Sequence, residues 1–252
     1  MTRRLLVLAL VLPVVVLTAC GGTPPKPELT DPKAILVAAA EQAAAARGVH
    51  VNASADGSVV LDLFGTGGGG PVDLRGSTAS VDLDLAGGDV RAIFAIGSVV
   101  RGELRAVDGT SYLRTTLTGA QYQRQEGAPV LTPGAVPDAL QALVASLERP
   151  GVTPVREADV ECGSGTCYRV TVDLDVDVLG DPAAGDLPLG GLADGEVSLA
   201  VLVSKATYDL ASIDAVLTGP DGTDLTVALI FTKWGEAVSV EAPGPDEIAG
   251  GG

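Results

Sequence analysis

A thiol at position 20, a pair of cysteines at 162 and 167, one histidine at 50 and an Asp-x-Asp-x-Asp run at 173–177 are the groups whose types and spacing could do chemistry in this 252-residue chain. Cys20 closes Leu17-Thr18-Ala19-Cys20, the order of small residues before a cysteine that marks a bacterial lipobox. In such a motif the thiol takes a diacylglyceryl group, the peptide is cut before it, and the cysteine becomes the mature N-terminus. Cys162 and Cys167 flank the turn-like Gly163-Ser164-Gly165-Thr166, too far apart for a CxxC redox pair and without partners for a metal. In an exported chain they read as a disulfide closing a hairpin. His50 is the only histidine, so a histidine-based triad would rest on it alone, and beside a helix end its plainer role is to start a strand or cap the helix. Asp173, Asp175 and Asp177 would share one strand face at about 6.6 Å spacing, with no glycine turn or distal glutamate to complete a calcium loop. They read as a solvated outer face. Paired carboxylates of the glycosidase kind have 32 acids to draw on, but aromatic residues, the platforms sugars stack on, are only 3%. No catalytic residue, metal site or cofactor is expected.

The elements around Cys20 give it an address. Met1-Thr2-Arg3-Arg4 is a positive start, and Leu5 to Val16 is an apolar run of secretory length. A permanent transmembrane helix needs about 20 apolar residues. Residues 1–19 are therefore expected to be a signal peptide, and Cys20 to hold the chain on the extracytoplasmic face of the cell membrane. Residues 20–28, with Pro24, Pro25 and Pro27, are expected to be a lipidated N-terminus and an extended tether. The formal charge is −16, and losing Arg3 and Arg4 makes it more negative by two. Such a chain is repelled by phosphate backbones, which excludes nucleic acid as a partner. Anionic headgroups repel it too, so two acyl chains rather than a basic patch must hold it at the membrane.

Two hydrophobic periods then describe the fold. Thr30 or Asp31 can cap a helix with Pro32 at its first position, running Lys33 to Arg47 with Gly48 as C-cap; Ile35, Leu36, Ala39, Ala43 and Ala46 form its thin apolar stripe. From His50 the period becomes 2. Val59, Leu61 and Leu63 alternate with polar residues, as do Val81, Leu83 and Leu85; Val90, Ala92, Phe94 and Ile96 oppose Arg91; Val100, Leu104 and Ala106 oppose Arg101, Glu103 and Arg105; Val170, Val172, Leu174, Val176 and Val178 oppose Thr171 and the three aspartates. These are half-buried antiparallel strands, one face wet and one dry. Asp108-Gly109, Asp194-Gly195 and Asp221-Gly222 mark hairpin turns. The run Gly67 to Gly70 is a flexible loop, because no helix start or lysine follows it. A second helix fits Val136 to Arg149 with Leu140, Leu143, Val144 and Leu147 on one face, residues 179–192 form a long loop or short helix, and strands follow near Val197–Ser204, Thr207–Leu217 and Thr223–Thr232. The fold class is α+β: eight or more antiparallel strands whose dry face needs two or three helices to cover it. One domain spans 29–243, and 244–252 is a flexible glycine-rich tail.

The lipobox, the proline-rich tether, the helix from Asp31-Pro32 with Ile35-Leu36, the long alternating strands, the mid-chain helix and the ending Phe231-Thr232-Lys233-Trp234-Gly235-Glu236-Ala237-Val238-Ser239-Val240-Glu241-Ala242-Pro243 together resemble the LppX/LprG/LprA/LprF lipoprotein family of actinobacteria. The most specific piece is this ending, where the family carries a strand, a Trp-Gly and a short valine-rich strand before a proline. The likeness covers about residues 29–243. It implies a fold like the LolA/LolB carriers, a strongly bent antiparallel half-barrel with helices packed into its mouth. It also implies a hydrophobic cavity for multiply acylated lipids or glycolipids moved between the plasma membrane and the outer envelope, and, as in some relatives, a membrane efflux transporter as partner. This chain differs from the family in its greater acidity, its glycine run and its cysteine pair.

The expected function is a membrane-anchored lipid carrier that performs no covalent chemistry, with lipid tails held between the concave sheet face and the helices. The expected lining is Val81, Leu83, Leu85, Phe94, Ile96, Val100, Leu104, Leu174 and Val176 from strands, with Leu140 and Val144 from the second helix; plain core is the competing role for each. Trp234 is expected to pack at the closing edge. The alternative is a structural or regulatory envelope lipoprotein with the same sheet but a closed core, docking on a membrane transporter. A third, an envelope hydrolase, would need a carboxylate or serine constellation that the sequence does not display.

Overall fold

Asp31 and Pro32 start the first helix as their chemistry dictates. In the computed structural model, which describes residues 26–61, 70–125, 135–149, 152–163, 165–175, 195–219 and 224–250, α1 spans Pro32–Ala45. The Asp31 carboxylate accepts the Lys33 N–H at 3.1 Å, satisfying one of the donors left over in a first turn. Ile35, Leu36, Ala39, Ala40 and Ala43 are its buried stripe. The helix ends earlier than expected, at an extended Ala46, and Gly48 is no C-cap but the first residue of β1. A Cβ there would lie 2.6 Å from the Glu236 carbonyl oxygen, so glycine serves the close approach of two backbones.

From β1 (Gly48–Leu61) the chain runs through β2 (Gly70–Asp73), β3 (Ser77–Asp84), β4 (Val90–Ile96), β5 (Val100–Val107), β6 (Thr110–Thr115) and β7 (Gln123–Gln125) to α2 (Ala135–Ser146). It continues with β8 (Val155–Arg156), β9 (Val160–Cys162), β10 (Gly165–Asp175), β11 (Glu196–Ser204), β12 (Leu210–Thr218) and β13 (Asp224–Thr232). All belong to one 13-stranded antiparallel sheet, ordered β7-β6-β5-β4-β3-β1-β13-β12-β11-β10-β8, with β2 added to β1 and β9 to β10. The end strands β7 and β8 do not meet, so the sheet is an open half-barrel, as the resemblance implied.

Register turns the period-2 pattern into one continuous apolar face. Leu113 sits opposite Leu104, Leu104 opposite Ala92, Ala92 opposite Val81, Val81 opposite Val51, and Val51 opposite Phe231. In the other half Val170 faces Val201, Val201 faces Ile213, and Ile213 faces Leu229. β-Branched and aliphatic side chains suit such a pleated, half-buried surface. Ile35 and Leu36 of α1 and Leu140, Leu143 and Leu147 of α2 and the turn after it join these strands in one core.

The Asp108-Gly109 turn forms as expected, both residues adopting positive φ (51° and 73°), the conformation a tight I′ hairpin requires. Cys162 and Cys167 are joined, Cα atoms 5.8 Å apart, where β9 returns into β10. Several expectations need correction. α2 stops at Ser146, and β12 begins at Leu210 because Tyr208 takes φ 65° in the turn before it. The valine-rich ending from Glu236 to Pro243 forms no strand; the Gly235 N–H donates to the Gly48 carbonyl instead. Nor are residues 244–250 a free tail. They carry a 3-10 turn at Pro245–Glu247, the Tyr122 N–H donates to Glu247 O and the Ala249 N–H to Tyr122 O, both at 2.8 Å. Lys26, Pro27 and Glu28, expected in the tether, are docked: Lys26 Nζ lies 4.4 Å from the Tyr208 ring centre, Tyr208 donates to the Pro27 carbonyl, and Lys205 pairs with Glu28. The leader, Cys20, Leu63, Gly67–Gly69, Val176, Asp177, Val178, the segment 179–192, Asp194 and Asp221-Gly222 lie outside the described residues.

Candidate functional site

The dry face and its helical cover are where a lipid site would lie. Val81, Leu83, Leu104, Leu140 and Leu174 are buried in one cluster with α1, and Leu85 and Val144 pack on it half-buried. Phe94 and Val100 are also half-buried. Phe94 lies across its own sheet: a Cβ at Gly102 would come 2.4 Å from its Cζ. Ile96 departs from the expectation, being 38% exposed, because β4 ends there. Val176 lies outside the described residues. On the same face the Ser111 hydroxyl is buried without a hydrogen-bond partner among the described residues, a polar atom in otherwise aliphatic surroundings.

The two helices pack against each other but leave a trough on their solvent side. A groove of about 360 Å³ runs between them, with Val37, Ala40 and Ala44 of α1 facing Val144 and Ala145 of α2, and Glu41, Gln141 and Glu148 beside them. The alanines leave this room, because a methyl fills little of the space between helix axes. Lys33 and Glu148 form an exposed ion pair across the two helices. Of the expected lining, Val144 alone borders the groove.

The opposite face of β1, β3, β4, β5 and β6 carries charge that the sequence reading assigned to open solvent. His50 and Asp82 are cross-strand partners, and Nδ1 of His50 lies 2.7 Å from Oδ1 of Asp82. Ser80 Oγ is 3.5 Å from the other ring nitrogen. This serine–histidine–aspartate order, unseen in the sequence, resembles the arrangement of a nucleophilic triad. However, Ser80 sits mid-strand between β1 and β4, so the nearby amides serve the ladders, whereas an active serine stands on an exposed turn beside free amides that hold the oxyanion. A neighbouring recess of about 200 Å³ is lined by His50, Asp82, Arg91, Lys233 and Glu236 with the 237–239 backbone segment, and Ser80 is not in its wall. The arrangement orients an imidazole; it does not present a nucleophile.

Next to it, Glu103 is only 8% exposed, although the alternation placed it on the wet side. Arg91, Arg105 and Arg114 surround it at 3.0, 2.9 and 2.8 Å. The Arg105 and Arg114 guanidinium groups lie 5.1 and 4.5 Å from the Tyr122 ring centre. Burial works to raise the Glu103 carboxyl, but hydrogen bonds from Arg105 and Arg91 and the adjacent Tyr122 phenol hold it at about 2. Burial and Glu103 push the Tyr122 phenol up. The 244–250 segment docks beside this cluster, against the Tyr122 backbone. Neither group of residues was legible beforehand: His50 lies 30 residues from Ser80 and 32 from Asp82, Glu103 lies 12 from Arg91 and 11 from Arg114, and strand register brings each set together.

No family profile and no curated protein matches this sequence. Among solved structures, LprF from Mycobacterium bovis shares the fold: TM-score 0.56 and 19% identity over 87% of this chain and 98% of that one. The Mycobacterium tuberculosis lipoprotein LppX aligns over 83% of this chain and 98% of its own at 12% identity, with a TM-score of 0.41. A LolA superfamily protein from Nitrosomonas europaea aligns over 84% and 96% at 8% identity and TM-score 0.29. The fold expected from the resemblance is the fold found, and LprF carries that statement. Among the described residues no helix is long and apolar enough to cross a membrane, and no group of three or more His, Cys, Asp or Glu side chains is placed to hold a metal ion.

Proposed function

We propose that this protein is a membrane-anchored lipoprotein that binds acylated lipid or glycolipid in apolar space under its helices and transfers it within the cell envelope. The observation that carries the reading is the LprF-like open sheet whose largely aliphatic inner face is covered by α1 and α2. An apolar-floored groove between the helices on their solvent side, where Ala44 and Ala145 are exposed, is the point of entry. The groove's volume of about 360 Å³ is at the small end of the roughly 300–1,000 Å³ typical of ligand sites. A lipid with several chains therefore requires α2 to move away from α1, exposing the face that carries Val81, Leu83, Leu104 and Leu174. Each CH₂ then buried contributes about 0.8 kcal/mol, so a single long chain is held firmly. Cys20 supplies the anchor in this reading, and an efflux transporter is the partner for hand-off.

The packing of Val81, Leu83, Leu104 and Leu174 with Ile35 and Leu36 in one cluster favours a second reading. In it the core stays closed and the protein is a structural or regulatory lipoprotein that docks on a membrane transporter. Native mass spectrometry of protein purified from an actinobacterial host separates the two. Lipid adducts that scale with expression support carriage. Protein that is always lipid-free, and that recovers one stoichiometric membrane partner in a pull-down, overturns it in favour of the second.

A further inference from the structure

Two neighbouring turns at one end of the sheet expose large apolar side chains. Val99, between β4 and β5, is 74% exposed, and Leu117, between β6 and β7, is 73% exposed; Ile96, at the start of the first turn, is 38% exposed. Single exposed aliphatic residues are ordinary on protein surfaces, but these are arranged together. The two turns are joined: the Thr116 N–H donates to Arg101 O at 2.8 Å, and the Arg101 N–H donates to Thr116 Oγ1 at 3.2 Å. The turn that holds Leu117 is also pinned from within. The Thr115 N–H donates to Thr118 Oγ1 at 3.1 Å, the Thr118 N–H donates to Thr115 Oγ1 at 3.1 Å, and the two hydroxyls are 3.0 Å apart. Leu117 is therefore held outward by its own backbone rather than left to fold back onto the sheet.

Charge distinguishes the place further. The chain has 32 acidic residues, yet Ile96-Gly97-Ser98-Val99-Val100-Arg101 and Thr115-Thr116-Leu117-Thr118-Gly119-Ala120 contain none. Their one charged residue is Arg101, which is exposed. Two exposed aliphatic side chains with hydroxyls and Arg101, beside the mutually neutralised Asp73–Arg75 pair that adjoins Gly97, suit the interfacial zone of a bilayer, where aliphatic groups enter the acyl boundary and cations meet phosphate.

Strand registers put these turns at the end of the sheet where β1 reaches Gly57, opposite Leu225. The docked residues 26–29 lie at the other end, with Leu29 N–H donating to Tyr168 and Lys205 paired with Glu28 beside the β11–β12 turn. Nine residues of strand separate Gly48 from Gly57, roughly 30 Å at the strand rise. The six residues from Cys20 to Lys26 span at most about 20 Å. The paired turns thus stand clear of the N-terminal attachment.

We propose that the β4–β5 and β6–β7 turns form a lipid-surface docking tip, in which Val99 and Leu117 enter the interface of a bilayer and Arg101 meets its phosphates. This tip is separate from the groove between the helices. The test uses the full chain carrying Cys20→Ser, with Cys162 and Cys167 left as a disulfide and an environment-sensitive dye on Leu117→Cys, Val99→Cys or, at the far end of the sheet, Asp108→Cys. Vesicles of phosphatidylcholine alone, or with phosphatidylglycerol, carry doxyl-labelled lipid. Dye at 117 and 99 is expected to shift to shorter wavelength and be quenched, at least several-fold more than dye at 108, with the larger effect on phosphatidylglycerol. Arg101→Glu is expected to remove that preference for the anionic vesicles. Dye at 117 that keeps its aqueous emission while the protein is vesicle-bound, or quenching equal at 108 and 117, overturns the proposal. Circular dichroism of each labelled variant confirms folding, and native mass spectrometry reports lipid content separately, so loss of the tip and loss of carriage give different results.

Discussion

Replacing Glu103 by Gln keeps the shape of the side chain and removes the charge that three arginines share. The carboxyl moves from an ordinary 4.5 to about 2 in the folded protein. At 1.36 kcal/mol per unit, that difference corresponds to roughly 3 kcal/mol of stability at neutral pH. Arg91 and Arg114 are 42% and 37% exposed, and solvent screening reduces the figure to about 2 kcal/mol. The sign follows from the direction of the shift. Because the folded value lies below the unfolded one, the contribution is complete above pH 4.5 and is lost as pH falls toward 2. Urea unfolding of wild type and Glu103→Gln, with the disulfide intact, should show the variant about 2 kcal/mol less stable at pH 7 and the gap closing between pH 4.5 and 2. Asp73, also lowered to about 2, and Asp159, also lowered, are unchanged in the variant, so their effects cancel in the difference. A gap below about 0.5 kcal/mol at pH 7, or one that does not change with pH, would refute the reasoning. It would show that the arginines are as well solvated without the carboxylate as with it.

Three further outcomes follow from other parts of the molecule. The double variant Cys162→Ser/Cys167→Ser should lose about 2 kcal/mol in denaturant unfolding, the chain-entropy estimate for so short a loop, and thiol titration of the oxidised wild-type protein should find neither sulfur reactive. Gly102→Val should cost about 1–3 kcal/mol, since the added carbons meet the Phe94 ring and the Arg114 carbonyl at 2.4 and 2.8 Å; a neutral result would mean that Phe94 is not seated on this glycine. Val144→Trp should fill the groove between the helices and reduce lipid adducts in native mass spectrometry several-fold without lowering the thermal midpoint. Undiminished adducts would place the lipid elsewhere, between the helices and the sheet.

The outer face shows where reading from sequence reached its limit. Alternation correctly separated Leu104 from Glu103 and Arg105, and it assigned the charged side to water. What surrounds Glu103 is Tyr122 together with Arg91, Arg105 and Arg114, and Tyr122 is in turn held by the docked residues 244–250. Those last residues are rich in glycine and polar groups and carry no hydrophobic period, so nothing in them announced a docked segment. His50 meeting Ser80 and Asp82 has the same origin. Each residue is unremarked in its own strand, and the contact exists because β1 and β3 pair with His50 opposite Asp82. Ile96 illustrates the converse: it continues an apolar series, but the end of a strand, not its pattern, decided its exposure.

Local chemistry set what the sequence could determine. Asp31-Pro32 is suited to start a helix, Asp108-Gly109 to turn tightly, valine and leucine at period 2 share a face, and two cysteines bracketing a short turn are placed to close it. Element types, the antiparallel class and the position of the staple follow from interactions spanning a few residues. The tertiary structure decided everything that depends on register and closure. It decided which strands meet β1 on either side, that Phe94 covers Gly102, that the sheet remains open at β7 and β8, and that two alanine-bearing helices leave a groove between them. Those choices sum many weak contacts between residues far apart in the chain, and no local pattern records such a sum.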